Sequence, residues 1–573
     1  MKKFKKVMAV AMAALSLATV CSACGGGNPF IASDETQKDV DTSKTQLQVG
    51  CYAGGYGRAW LDAAIARFEA QYAQESFETD KKGVQIHVDY QKSYANQSQA
   101  TMDGMKQSVI FTEQIFFNDY IINGKFLDIS DIVTQSLSDV SGGKETGKIE
   151  DKLTQEQQKA YKAYDGKYYC LPHYESFGGL SIDADLFAEK NLYVSNKSIG
   201  NDYDEFGCIK DEFGIKSNGP DGKSGTYDDG LPATYEEFFQ VCDKMVDCGI
   251  DPFIWTGGFP EYVNLLPIAL YADGAGAEGF STTYDFDSNG KQVQVYDENM
   301  QKQNVVITNE NAYLMKQQVA KYDAIDFMRK IVENDASYVN ENAKSGACTH
   351  EGAQRYFIAG KKKTGFLIEG NYWYNEAKPV FEEMVSDKGD EKYSADNRNF
   401  QWIPLPRATS VAPNDYKITT VDRNYSCAFI NANVQSDPVK ERLSKLFLKF
   451  CYTKESLIEF TVESGATKGL NYQLTEAEEA TMVSKLNTYE KSVWDFRSRA
   501  NVLYPISDSQ ILINNQRSFN LIDADWTVTV NDAKHVTPYA ALKAGVSVTE
   551  YFKAGWIKES DWTRSFSEYF AIK

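Results

Sequence analysis

Eight aromatic residues stand where extended segments run into loops or helix starts: Tyr56, Trp60, Tyr174, Trp255, Tyr262, Tyr372, Trp373 and Tyr374. Open α/β sheets hold their ligands at that end of the strands. An aromatic face suits the C–H face of a pyranose, while sugar hydroxyls require carboxylate, amide or guanidinium partners. Such partners are interleaved: Arg58, Glu113, Glu175, Glu369, Asn371, Asp422 and Arg423. The pattern predicts a carbohydrate site built from Tyr56, Arg58, Trp60, Glu113, Tyr174, Glu175, Trp255, Tyr262, Glu369, Asn371, Trp373, Asp422 and Arg423. Trp255 and Trp373 are expected as its main anchors, because glycine flanks both loops. The competing reading for each aromatic is ordinary packing.

A second chemistry is suggested by Ser217-Asn-Gly-Pro-Asp-Gly-Lys-Ser-Gly-Thr-Tyr-Asp-Asp-Gly230. Oxygen ligands spaced by glycines can fold around a hard cation. Asp221, Asp228 and Asp229 are the expected side-chain ligands of a structural Ca²⁺, remote from the sugar. The other reading is a solvated insertion. Asp285 to Gly290 opens like another such loop, yet reads better as a β-hairpin turning at Asn289-Gly290. Catalytic signatures are missing: the sequence has no GxSxG, HExxH or phosphate-binding loop, and its four histidines are not at metal-ligand spacing. Carboxylate pairs for glycoside hydrolysis are defined in space, so a carbohydrate-active enzyme stays as the alternative.

The elements that must position these residues alternate between strand and helix. Leu47–Cys51, Val84–Val88 and Ser108–Phe111 read as strands; the helix from Arg58 carries Trp60, Leu61, Ala64, Ile65 and Phe68 at helical spacing. Strands are read within Asp165–Tyr174, in Gly178–Phe187 before a helix-start signal, in Gly249–Gly257 before a loop, in Lys363–Trp373 before an aromatic helix start, and at Asn424–Asn431. Thr234 and Glu237 form a capping box, and Pro438 opens a late helix. This alternation predicts an α/β fold.

The 573 residues carry 60 basic and 80 acidic side chains, a net charge of −20. Four of the lysines lie in the first six residues, so a chain lacking them carries −24. Such a surface repels phosphate backbones and argues against nucleic-acid binding. The basic start, the apolar run Val7–Val20 and Cys21-Ser-Ala-Cys24 read as a signal peptide over residues 1–23, with Cys24 the lipidated residue. A tether rich in Gly, Ser and Asp covers 24–46. Eight further cysteines show no CxxC pairing, so a zinc cluster is not expected.

Taken together, Gly54-Gly55-Tyr56-Gly57 before Trp60, Gly166-Lys-Tyr-Tyr-Cys-Leu-Pro172 with Asp183 downstream, Phe366-Leu-Ile-Glu-Gly-Asn-Tyr-Trp373 and the Phe460–Lys468 region resemble the carbohydrate-binding family of extracellular solute-binding proteins. That family serves ABC importers and includes maltose-binding protein. The resemblance implies two α/β lobes, each a mixed sheet flanked by helices, closing on a sugar about hinge crossovers. It places lobe 1 at 47–172 and 430–465, and lobe 2 at 173–429 and 466–573. It further implies an oligosaccharide ligand, delivery to an ABC permease, no enzymatic activity, a monomer, and a lipid anchor on the outer face of the bacterial cytoplasmic membrane. A peptide or other non-sugar solute is a further alternative.

Overall fold

The computed structural model describes residues 39–95, 98–113, 117–200, 202–285, 290–308, 310–409, 417–422, 426–504 and 526–564. Cys24, Asn289 and Arg423 lie outside them. Asp41–Lys573 forms one unit, and the following concerns that unit alone.

Its strands are β1 (Thr45–Tyr52), β2 (Val84–Gln91), β3 (Val109–Thr112), β4 (Cys170–Pro172), β5 (Gly178–Asp183), β6 (Asp251–Ile254), β7 (Gln292–Tyr296), β8 (Lys302–Val306), β9 (Thr364–Gly370), β10 (Phe400–Ile403), β11 (Ile418–Val421), β12 (Cys427–Ile430) and β13 (Ala500–Leu503). The helices that matter here are α1 (Ala59–Gln71), α2 (Ala184–Glu189), α3 (Tyr235–Asp247), α4 (Leu265–Asp285), α5 (Val319–Glu333), α6 (His350–Ala359), α7 (Pro438–Phe450), α8 (Lys454–Ser464) and α9 (Thr488–Arg499).

Two mixed sheets organise the unit. The first has the order β2-β1-β3-β12-β4, with β1 parallel to β2 and β3 and the late strand β12 antiparallel to β3 and β4. The second has the order β10-β5-β9-β6, with β6 parallel to β9 and β5 antiparallel to both neighbours. Every residue of β5 and of β9 is buried, as expected of strands covered by helices on both faces. Separate apolar cores form around the two sheets. The chain therefore has a two-lobed α/β fold. Lobe 2 also gathers Trp526, Tyr551 and Phe552 from the C-terminal region into its core.

Local sequence accounts for much of this. In α1 the buried residues are Trp60, Leu61, Ala64, Ile65 and Phe68, one stripe of a 3.6-residue period. Thr234 and Glu237 close a reciprocal capping box on α3, which buries Phe238, Val241, Cys242 and Met245. Asp437 caps α7 and Pro438 occupies its first turn, where the missing N–H costs nothing. Among the described residues here the hairpin is β7–β8, which turns through Asp297–Gln301; helix α4 runs to Asp285, and the turn expected at Asn289-Gly290 involves residues outside those described.

The chain passes between lobes after β4, between β11 and β12, and between α8 and α9. These passages are stitched together. Glu175 N–H donates to the Thr467 carbonyl at 2.8 Å. Ser426 exchanges hydrogen bonds with the Tyr174 backbone, accepting from N–H at 3.0 Å and donating to the carbonyl at 2.6 Å.

Candidate functional site

The loops leaving β1, β2, β3 and β4 in lobe 1 face those leaving β6 and β9 in lobe 2. From lobe 1 come Tyr52, Tyr56, Tyr90, Glu113 and Tyr174; from lobe 2 come Tyr262, Glu369, Asn371, Tyr372 and Glu376. The lobes touch through these loops. Tyr56 hydroxyl lies 2.8 Å from the Glu175 carbonyl and 3.1 Å from Asn371 Oδ1. Its ring meets Tyr174 edge-on at 4.5 Å and Tyr372 at 6.0 Å. Asn375 Nδ2 donates to the Gly55 carbonyl at 2.8 Å. Gly55 allows that approach: a Cβ there would sit 2.9 Å from the Tyr372 ring.

Carboxyls lie among these phenols. Glu113 is buried and accepts from Tyr174, with Tyr52 also reaching it. Burial pushes its pKa up to about 7. Glu369 has no exposed surface. One of its oxygens accepts from the Gly370 N–H at 3.0 Å and the Tyr372 hydroxyl reaches the group, while Oε2 makes no well-formed hydrogen bond. Burial, with neighbouring Glu376 adding to it, raises this carboxyl well above the usual range. Glu376 itself accepts from Gln354 at 3.0 Å. Cations stand at the rim: Lys92 lies 5.7 Å over the Tyr52 ring, and Arg58 lies 5.8 Å over Tyr90 while paired with Asp62 at 2.7 Å. Phenol hydroxyls, buried carboxyls and ring faces suit a neutral, hydroxyl-rich ligand. One partnerless polar atom in such a place costs about 1–3 kcal/mol until a hydrogen-bonding partner reaches it.

The structure redistributes the expected site residues. Tyr56, Glu113, Tyr174, Tyr262, Glu369 and Asn371 meet at the cleft, with Arg58 beside it. The three tryptophans do not. Trp60 packs into the lobe 1 core against Phe111 and Phe460, each about 5 Å away. Trp255 packs in lobe 2 against Tyr539 at 5.0 Å. Trp373 is wholly buried, with its indole N–H donating to Ser181 Oγ at 2.8 Å. Tyr372 and Trp373 are neighbours in sequence; only the first faces the cleft. Glu175 and Asp422 hold the crossovers: Glu175 accepts from Arg497 Nε at 3.0 Å and from Tyr504, and Asp422 accepts from the Ser176 N–H at 3.3 Å. Tyr52, Tyr90 and Glu376 were not singled out by sequence. Tyr52 and Tyr90 come one and two residues after the expected strands Leu47–Cys51 and Val84–Val88, and that position was the available signal.

The acidic loop is arranged differently from a cation cage. Arg499 Nη1 lies 2.7 Å from Asp221 and 3.5 Å from Asp228. Asp221 and Asp228 also accept from the Lys223 and Asp221 N–H groups, and Asp229 turns to the Gly225 N–H at 2.8 Å. Donors thus already occupy these carboxylates, and a guanidinium supplies the positive charge. Among the described residues no group of three His, Cys, Asp or Glu side chains is placed to hold a metal. None of their helices is long and apolar enough to cross a membrane.

No family model matches the chain, and no curated protein does. Solved structures do. The cyclic α-maltosyl-1,6-maltose binding protein of Arthrobacter globiformis aligns over 92% of this chain and all of its own, with a TM-score of 0.50 and 12% identity. A protein studied for xylan utilization by the thermophilic bacterium Caldanaerobius polysaccharolyticus aligns over 89% of this chain and 99% of its own, with a TM-score of 0.50 and 13% identity. At such identities the likeness is one of fold alone.

Proposed function

We propose that this protein captures a sugar, specifically an oligosaccharide, in the interlobe cleft and delivers it to an ABC permease without altering it. The observation that carries this reading is the convergence of Tyr56, Tyr174, Tyr262, Tyr372, Glu113 and Glu369 from both lobes onto one cleft at the strand ends. The solved relatives of the same fold include one named for a maltosyl-maltose ligand. A ligand bridging both faces makes contacts only the closed form can offer, and that difference drives closure. In this reading residues 1–23 direct export and a lipid on Cys24 keeps the protein at the outer face of the cytoplasmic membrane.

Calorimetry against a panel of neutral oligosaccharides tests the proposal. Saturable binding with the sugar recovered intact is expected. Binding of peptides with no response to any sugar overturns it. Glu113 and Glu369, both with raised pKa values, are also the groups a glycoside hydrolase would use; release of reducing ends over hours would convert the assignment to that enzyme class.

A further inference from the structure

At the opposite end of the lobe 2 sheet, the ends of α2, α3 and α6 surround a pocket of about 530 Å³. It is a depression open to solvent rather than an enclosed cavity. Four lysines line it, Lys190, Lys361, Lys362 and Lys363, together with one carboxylate, Glu189. They gather in a chain whose net charge is −20. Lys362 pairs with Asp251, and Lys190 with Glu189 at 2.9 Å. Lys361 and Lys363 make no ion pair among the described residues; the field of Lys363 reaches Asp183, which Arg398 already pairs. Lys190 follows the last turn of α2, where a cation meets the helix dipole. Lys361 and Lys363 lie in the turn before β9 and have no such duty. Leu186 and Ile250, both buried, give the pocket an apolar floor, and Cys248 opens onto it.

We propose that this pocket binds a phosphate ester. Compact ammonium groups on flexible stems attract phosphate as point charges. Two of them lack a carboxylate of their own among the described residues. The pocket begins at the start of β9, whereas the cleft residues Glu369 and Tyr372 follow its other end. The site is therefore separate from the sugar cleft. Its ligand comes from one of two sources with the same chemistry: a soluble glycerol phosphate, or the headgroup of an anionic lipid.

Cys248 supplies the readout, because it is the exposed cysteine among the described residues. On the full chain, its modification by dithiobis(2-nitrobenzoate) is followed by mass spectrometry of the Cys248 peptide. This dianionic reagent should react about tenfold faster than a neutral pyridyl disulfide, through electrostatic focusing. Saturating sn-glycerol 3-phosphate should slow the reaction far more than sodium chloride at matched ionic strength. Retention on phosphatidylglycerol vesicles but not phosphatidylcholine vesicles, without protection by the soluble ester, would assign the headgroup. The Lys361→Glu/Lys363→Glu variant, altered only at exposed positions, should lose either effect while its melting temperature stays unchanged. Equal slowing by chloride without vesicle retention overturns the proposal, as does full retention of the effects in the double variant.

Discussion

Glu175 at the crossover and Glu369 in the cleft are equally buried, yet they are treated in opposite ways. Glu175 is held by the Arg497 guanidinium, the Tyr504 hydroxyl and its own backbone bond to Thr467. Gly469, at φ 73°, leaves room for that carboxylate, since a Cβ there would collide with it. Glu369 has no cation beside it and one oxygen with no partner. The carboxylate that holds the lobes together is fully paired; the carboxyl in the cleft has its pKa pushed up by burial and one oxygen without a partner. The difference separates structural from functional polarity in one molecule.

The largest effect should come from breaking the crossover. Arg497→Met leaves Glu175 buried with an uncompensated charge, and unfolding by denaturant should show a loss of about 3–5 kcal/mol. Glu369→Gln should behave oppositely. Its raised pKa means that the folded state holds a proton the unfolded state has released, so wild-type stability falls as pH rises above the ordinary carboxylate range. The Gln variant should lose that slope and keep its fold while its sugar affinity drops. Equal destabilisation by both substitutions would collapse the comparison.

Lys468 extends it to a buried cation. Its ammonium sits 4.1 Å from the Phe460 ring centre and 4.7 Å from that of Trp60, and donates to the His173 carbonyl at 2.9 Å. Burial without a carboxylate lowers its pKa from 10.5 to about 7. Between those values the unfolded state binds the extra proton, so stability should rise with pH over that window, by about 2–4 kcal/mol. Lys468→Met should flatten this part of the profile. A profile identical in wild type and variant would show that Lys468 keeps its ordinary pKa in the fold.

Within the cleft, Tyr372→Ala should weaken oligosaccharide binding by about 1–3 kcal/mol, the usual cost of truncating an aromatic anchor. Trp373→Ala, one residue later, should instead lower the melting temperature, with affinity per folded molecule nearly intact. Calorimetry on both variants separates the two faces of that segment.

The smallest expected effect belongs to the acidic loop. Arg499→Ala should cost about 1 kcal/mol, since the guanidinium is partly exposed and screened. Added Ca²⁺ should then raise the melting temperature of the variant, because Asp221 and Asp228 are freed for it, and should do little to the wild type. A wild-type melting curve that moves as far with Ca²⁺ or chelator would show the cation displacing Arg499.

Periodicity and capping chemistry are local, so the sequence by itself determined the strand–helix alternation, the buried stripe of α1, the Thr234–Glu237 box and the Pro438 helix start. It also placed the junctions where ligand-facing side chains must lie. Tertiary structure decided which junction residues face the cleft. Tyr372 and Trp373 have the same composition signal, but they leave the backbone in different directions as the chain turns from β9, and only packing against Ser181 and Phe400 commits Trp373 to the core. Partners far apart in the chain were equally illegible. Glu175 finds Arg497 across 322 positions and Asp221 finds Arg499 across 278. No local spacing records such pairs, because they exist only once both lobes have folded and the crossovers have brought α9 beside them.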